Sequence, residues 1–359
     1  MSQGRRTQQR AVTGPGFDLL VEALGDAGTA TLWFHKAFRR HEALRQPFGD
    51  AETWLRDPGI PGLAPLTGEL RDGAFSYAIK PALSVREVVD RLKISGHAGG
   101  PRATLDFLRA VGEVLVRSTR RGARVGMYAH GAVTPWTVLL DGDGAVQVLG
   151  FGVPRADVYA FLDDETVRLP GAALRYTPPE MLEDHALELS SDLLALALVA
   201  IELLTGHHAF VGDADEVLEQ IHRGEGPVAM AELGEGYPAE LVVLLARASS
   251  RSAGERFRRG NEFIRALDAL GPLDGPSLAQ VVRSAMEQEE ADEPTTPDPT
   301  EEVPLELAEE VVVAEVELDD DEPEDVFDPE PTRALGAMEP VPPLSGGVNL
   351  ERVKEHAAQ

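Results

Sequence analysis

Apolar positions in this chain recur with two different periods, and the change falls near Ser84. Before it, short apolar runs are broken by Gly and Pro. Leu19 to Leu24, Ala30 to Phe38, Gly62 to Leu70 and Ala74 to Ile79 predict strands. Asp72-Gly73, between the last two, is a tight-turn signal. Ala51 to Arg56 predicts a short helix, stopped by Asp57-Pro58-Gly59.

From Ser84 onward the spacing is helical. Ser84 predicts an N-cap for Val85 to Leu92, with Glu87 as its capping-box partner. Thr104 to Val116 places Leu105, Leu108, Val111, Val114 and Leu115 on one helical face. Val138-Leu139-Leu140, the turn Asp141-Gly142-Asp143-Gly144 and Ala145 to Leu149 predict a β-hairpin. Helices follow over Ser191 to Thr205, Ala239 to Ala248 and Asn261 to Leu270. Leu193 to Leu204 is the most apolar run. Interrupted by Glu202, it falls short of the ~20 residues a bilayer span needs, so it predicts a buried core helix and no membrane insertion. A strand-rich region followed by a larger helical one is an α+β order, without internal repeats.

Charge changes the picture at the C-terminal end. The formal net charge is −28, and residues 287 to 330 hold 21 Asp and Glu with no Lys or Arg. The acidity is therefore a property of a tail. After about Ser284, Pro and acid dominate and Phe327 is the one aromatic residue. Such a segment buries too little apolar surface to offset its chain entropy, so disorder is expected. No basic patch suits nucleic acid. The absence of cysteine excludes disulfides, thiolate catalysis and Cys-based zinc sites. The N-terminus lacks the apolar segment of a signal peptide, and a cytoplasmic location is expected.

The chemistry-bearing motifs come in a fixed order. Gly14-Pro15-Gly16 opens a run ending in Val21, and Lys36 follows in Trp33-Phe34-His35-Lys36. His130 to Leu140 precedes Leu149-Gly150-Phe151-Gly152. Gly171 to Glu180, ending Arg175-Tyr176-Thr177-Pro178-Pro179-Glu180, comes next. Then come Ser191-Asp192, Glu202-Leu203-Leu204-Thr205-Gly206 and Ser252 to Phe257. Over about 260 residues this series resembles the bacterial Hanks-type Ser/Thr protein kinases, with their Gly-rich loop, V-A-I-K, H-R-D-L-x-x-x-N, D-F-G and A-P-E motifs.

The resemblance implies a two-lobed fold: an N-terminus or first strand over 1–13, an N-lobe over 14–82, a C-lobe over 83–283 and an acidic tail over 284–359. It also implies that Glu180 pairs with Arg256 and that Asp192 receives hydrogen bonds from the loop at His130. The chemical positions depart from the family. Ala132 stands at the catalytic base, Gly131 at the Arg of H-R-D, Thr134 at the assisting Lys, Thr137 at the metal-binding Asn and Gly150 at the metal-binding Asp. Gly14, Gly16 and Lys36 are kept, but Leu19 replaces the third Gly. Phe34 replaces the Ala that forms part of the adenine slot. Glu52 is a candidate partner for Lys36, and a surface lysine is the alternative for Lys36.

The expectation is therefore a degenerate kinase, a pseudokinase that is not an enzyme, binds no cofactor or metal, and serves as a protein-binding scaffold or regulatory module. Its alternative is a non-canonical nucleotide sensor, or a nucleotidyl or phosphoryl transferase on the kinase fold, for which Asp163-Asp164-Glu165 offers the nearest displaced acids. His207-His208 reads as a solvated loop rather than a metal site. Within the tail, Thr295 has Asp298 three residues on, a spacing that resembles targets of phosphothreonine-binding domains, with a Pro/Thr linker as the alternative. Leu305 to Leu318 alternates apolar and acidic residues and suits docking on a partner, and 349–356 predicts a short docking helix.

Overall fold

A computed structural model of the chain describes residues 7–14, 17–24, 27–34, 51–68, 74–151, 174–183, 185–223, 227, 233 and 236–292. Two small sheets and a helical body make up this part. The first sheet is antiparallel, in the order β1 (Thr7–Gly14), β2 (Phe17–Leu24), β3 (Ala27–Phe34) and β4 (Ala74–Ile79). Gly14 pairs with Phe17 at the end of the β1–β2 ladder, and Pro15 and Gly16 of the expected Gly-rich segment lie outside the described residues. Helix α1 covers residues 51–56. Along β4, Phe75, Tyr77 and Ile79 are buried while Ser76 is half-buried and Ala78 exposed, the period of a strand with one covered face.

Two sequence expectations need adjustment here. The strand expected over Ala30 to Phe38 is Ala27–Phe34 among the described residues. The run Gly62 to Leu70 is not a regular strand over its described part. It makes two isolated bridges, Leu63 to Val148 and Leu66 to Tyr77. Pro65 lies between them and has no N–H to add to a ladder. Asp72-Gly73 lies outside the described residues.

The second sheet joins β5 (Ala82–Ser84), β6 (Val138–Asp141) and β7 (Val146–Val148). Ser84 ends β5 and caps α2 (Val85–Ile94) in a complete capping box. Glu87 N–H donates to Ser84 Oγ at 3.2 Å, and Ser84 N–H donates to Glu87 Oε2 at 2.7 Å. Such a cap contributes about 1 kcal/mol.

The helical body continues with α3 (Gly100–Gly122), α4 (Pro179–Leu182), α5 (Leu189–Thr205), α6 (Ala214–Arg223), α7 (Ala239–Ala248), α8 (Gly260–Ala269) and α9 (Leu278–Asp292). Ser190 through Leu204 of α5 are all buried, as its all-round apolar sequence requires of a central helix. Gly206 closes it in the left-handed conformation. Helix α3 packs on α5, α8 and α9. Among the described residues no helix is long and apolar enough to cross a membrane.

The expected tail boundary at 283/284 is corrected by α9. Val281, Val282 and Ala285 are buried, and Arg91 Nη1 donates to the Ala285 carbonyl at 3.1 Å. The acid-rich composition begins before the packed helix ends, because α9 needs only one apolar face to dock. Residues 293–359, with Thr295, the Leu305 to Leu318 tract and 349–356, lie outside the described residues.

Candidate active site

Asp192, near the start of α5, organises the loop that follows α3. Its Oδ2 accepts the His130 N–H at 2.6 Å and its Oδ1 accepts the Gly131 N–H at 2.9 Å. Burial pushes the Asp192 carboxyl up to about 7, against the two N–H donors that favour its ionised form, while the Glu180 charge adds to the rise. Gly131 sits at φ 79°, a conformation that side-chain-bearing residues rarely adopt. The loop therefore lacks the H-R-D arginine and also has a backbone that disfavours one.

His130 is fully buried. Its Nδ1 accepts the Ala132 N–H at 3.2 Å, which leaves the proton on Nε2. Burial lowers its pKa to about 4, with the Leu149 carbonyl opposing. The imidazole meets the Phe151 ring edge-on at 5.7 Å, and Phe151 meets Trp54 of α1 at 5.3 Å. Arg121 lies 5.6 Å above Trp54. A column of rings thus runs from the Asp192-anchored loop to the N-lobe helix.

The positions expected to be degenerate are closed on themselves. Thr137 Oγ1 donates to the Ala132 carbonyl at 2.8 Å and accepts the Thr134 N–H at 3.0 Å. The two Thr hydroxyls are 3.1 Å apart. Ala132, Thr134 and Thr137 are all buried. Gly150 sits at φ 79° and offers no side chain. Tyr77 of β4 is buried with its hydroxyl against the Gly150 backbone, and burial raises its pKa. These residues do not fit a magnesium ion. Hard cations take several oxygen ligands, and the Thr137 hydroxyl is already engaged by the loop backbone.

The expected ion pair is present. Arg256 Nη1 and Nη2 reach Glu180 Oε1 and Oε2 at 2.6 and 3.0 Å. Ser191 Oγ donates to the same carboxylate at 2.6 Å. Burial alone would raise the Glu180 pKa, but Arg256 and Ser191 hold it below the usual range.

Of the remaining expected residues, Leu19 pairs with Leu32 in register and Phe34 pairs with Phe17. Gly16, Lys36 and Asp163-Asp164-Glu165 lie outside the described residues. Glu52 forms an ion pair with Arg56 at 2.6 Å.

A second polar cluster was missed. Glu202, fully buried in α5, accepts from Arg86 of α2 and from the Tyr176 hydroxyl, and His208 Nδ1 lies 2.7 Å from its Oε1. Burial would raise the Glu202 pKa, but His208, Arg86 and Tyr176 together lower it. The reading of His207-His208 as a solvated loop is corrected for His208. The available signal was Glu202 itself: a lone carboxylate inside an apolar helix must be paired.

No family model matches the chain. Comparison with solved structures gives the PknI kinase domain of Mycobacterium tuberculosis at a TM-score of 0.52 and 20% identity, covering 75% of this chain and 97% of that one. This chain has a Hanks-type kinase-like fold. Among curated proteins, it is 32% identical over 158 residues to the serine/threonine-protein kinase PknL of Mycobacterium tuberculosis, covering 44% of this chain and 38% of that protein. It is 27% identical over 156 residues to the serine/threonine-protein kinase PknB of Mycobacterium leprae, covering 44% of this chain and 25% of that protein. The chain thus spans well under half the length of these relatives. The expectation that the chain is not an enzyme is corrected by this finding: the curated relatives it matches are named serine/threonine-protein kinases.

Proposed function

We propose that this chain is a regulatory module on the kinase fold that works by binding a protein partner through its C-lobe, with the acidic tail, and Thr295 within it, as a further recruitment element. The loop between His130 and Thr137 carries this reading. Asp192, the Glu180–Arg256 pair and the ring column preserve its shape, while Ala132, Thr134 and Thr137 satisfy one another. A buried loop of preserved shape, with its polar groups satisfied internally, gives the exposed C-lobe residues around it a fixed frame, which suits recognition by a partner.

Phosphoryl transfer is a second reading, compatible with the first, and the names of the relatives favour it. Such chemistry depends on positioning and charge stabilisation around the nucleotide and its metal. On this chain the acids would have to come from outside the described loop, and Asp163 to Glu165 are the candidates.

Two measurements test these readings. Affinity capture with the full chain, against a chain ending at Asp292, should retain a partner on both, more strongly with the tail. Failure of both to retain any partner defeats the regulatory reading. A melting curve with ATP, with and without Mg²⁺, tests the second, because a ligand bound to the native state stabilises it by RT ln(1 + [L]/Kd). A Mg²⁺-dependent shift with label transfer from ATP to a protein supports transfer chemistry, and no shift under either condition opposes it.

A further inference from the structure

We propose that the C-lobe holds a second binding site, a cavity for an amphiphile with an apolar body and a cationic head. The cavity measures about 650 Å³ and lies among α4, α5, α6 and α7. That is within the roughly 300–1,000 Å³ typical of small-molecule sites. It shares no lining residue with the His130 to Thr137 loop.

Its inner wall is apolar. Leu194 and Leu198 come from α5, Ile221 from α6 and Phe210 from the loop between them, and all four are buried. Two leucines from one central helix, faced by an aromatic ring, suit an alkyl or ring-bearing body.

The polar lining is unbalanced. Among the described lining residues, Glu180, Glu183 and Glu255 stand against Arg251 and His185 with no lysine, and Glu180 is already neutralised by Arg256, which leaves Glu183 and Glu255 to meet a ligand. Arg251 is committed to the protein. Its Nη1 donates to the Ile221 carbonyl at 2.8 Å and to the His222 carbonyl, and its Nη2 lies 3.8 Å from Glu183. Glu183 and Glu255 are less fully engaged. Glu255 Oε2 accepts from the Ser250 hydroxyl at 2.7 Å, and Glu183 Oε2 lies 3.4 Å from His185 Nδ1. Glu180 is held ionised by Arg256 at the cavity wall. A head group that donates hydrogen bonds and carries positive charge complements this lining. A carboxylate head would meet the like charge of Glu183 and Glu255, and among the described lining residues Arg251 is committed to the protein and His185 already faces Glu183. An alkylammonium is therefore favoured over a fatty acid of the same length. The site does not depend on the partner-binding role proposed above.

The test uses the full chain and three probes of one length: decylamine, decanol and decanoate, followed by titration calorimetry and melting curves. Decylamine should bind saturably, one per chain, with decanoate at least about tenfold weaker and decanol between them. Ala246 is an exposed cavity residue on α7, so A246W should block the site while leaving the melting temperature without ligand near the parent value. The surface variant E183Q/E255Q should erase the preference for the amine over the alcohol. Equal or tighter binding of decanoate, absence of saturable amine binding, or amine binding unaffected by A246W would each overturn the proposal.

Discussion

The carboxylate of Asp192 accepts the backbone N–H of His130 at 2.6 Å across a sequence distance of 62 residues. This bond fixes the loop after α3 to the central helix, and the ring column is built on it. Asp192→Asn leaves one amide oxygen for two donors and turns an N–H₂ group toward the other. A loss of about 1.5–3 kcal/mol is expected in urea unfolding, and Asp192→Ala should cost more because both N–H groups lose their partner. Unchanged stability in both variants would remove Asp192 from this role.

The same two residues set a pH dependence with opposing signs. His130 falls from 6.5 to about 4 on folding, so its contribution is present above 6.5 and lost as pH falls toward 4. Asp192 rises from 3.8 to about 7, so its contribution is present below 3.8 and lost as pH rises toward 7. Between about pH 4.5 and 6.5 the two slopes oppose each other, and the parent melting temperature should vary little. His130→Phe keeps a ring on Phe151 but removes one titration, so its melting temperature should fall as pH rises through this window. A rise would contradict the assignment.

Glu180 and Glu202 both have lowered folded pKa values. Their contribution is present above the ordinary value of 4.5 and lost as pH falls through the folded values. Cooperative acid unfolding should therefore begin below about pH 4.5, monitored by circular dichroism, and Glu180→Gln should flatten part of that transition.

Removing one partner of the Glu180–Arg256 pair leaves a buried charge. Arg256→Met alone is expected to cost about 3–5 kcal/mol, while Arg256→Met with Glu180→Met should recover much of that loss. A double-mutant cycle with no coupling would show that the pair contributes nothing beyond packing.

Thr137→Val keeps the shape of the side chain and deletes the hydroxyl that joins Ala132 and Thr134. With two buried backbone partners left unmatched, a cost of about 1–3 kcal/mol is expected. A variant as stable as the parent would mean that the loop is not closed by this hydroxyl.

Local pattern in the chain was sufficient for much of the fold. Ser84 and Glu87 are three residues apart and form their capping box wherever α2 forms. The hairpin at Asp141 to Gly144 and the buried run of α5 follow from period and composition in the same way. The order of motifs also placed Asp192, Glu180 and Arg256 in their roles. Tertiary structure alone decided three things. Glu202 meets Arg86, Tyr176 and His208 because α2, α5 and the segments before and after α5 converge on one point, and no spacing along the chain encodes that convergence. Thr134 and Thr137 read in sequence as a lost lysine and a lost metal ligand, and only the fold of the loop made them each other's partners. Helix α9 continues past residue 283 because an apolar stripe finds α2 and α3 to cover it, a long-range burial that outweighs the acidic composition around it.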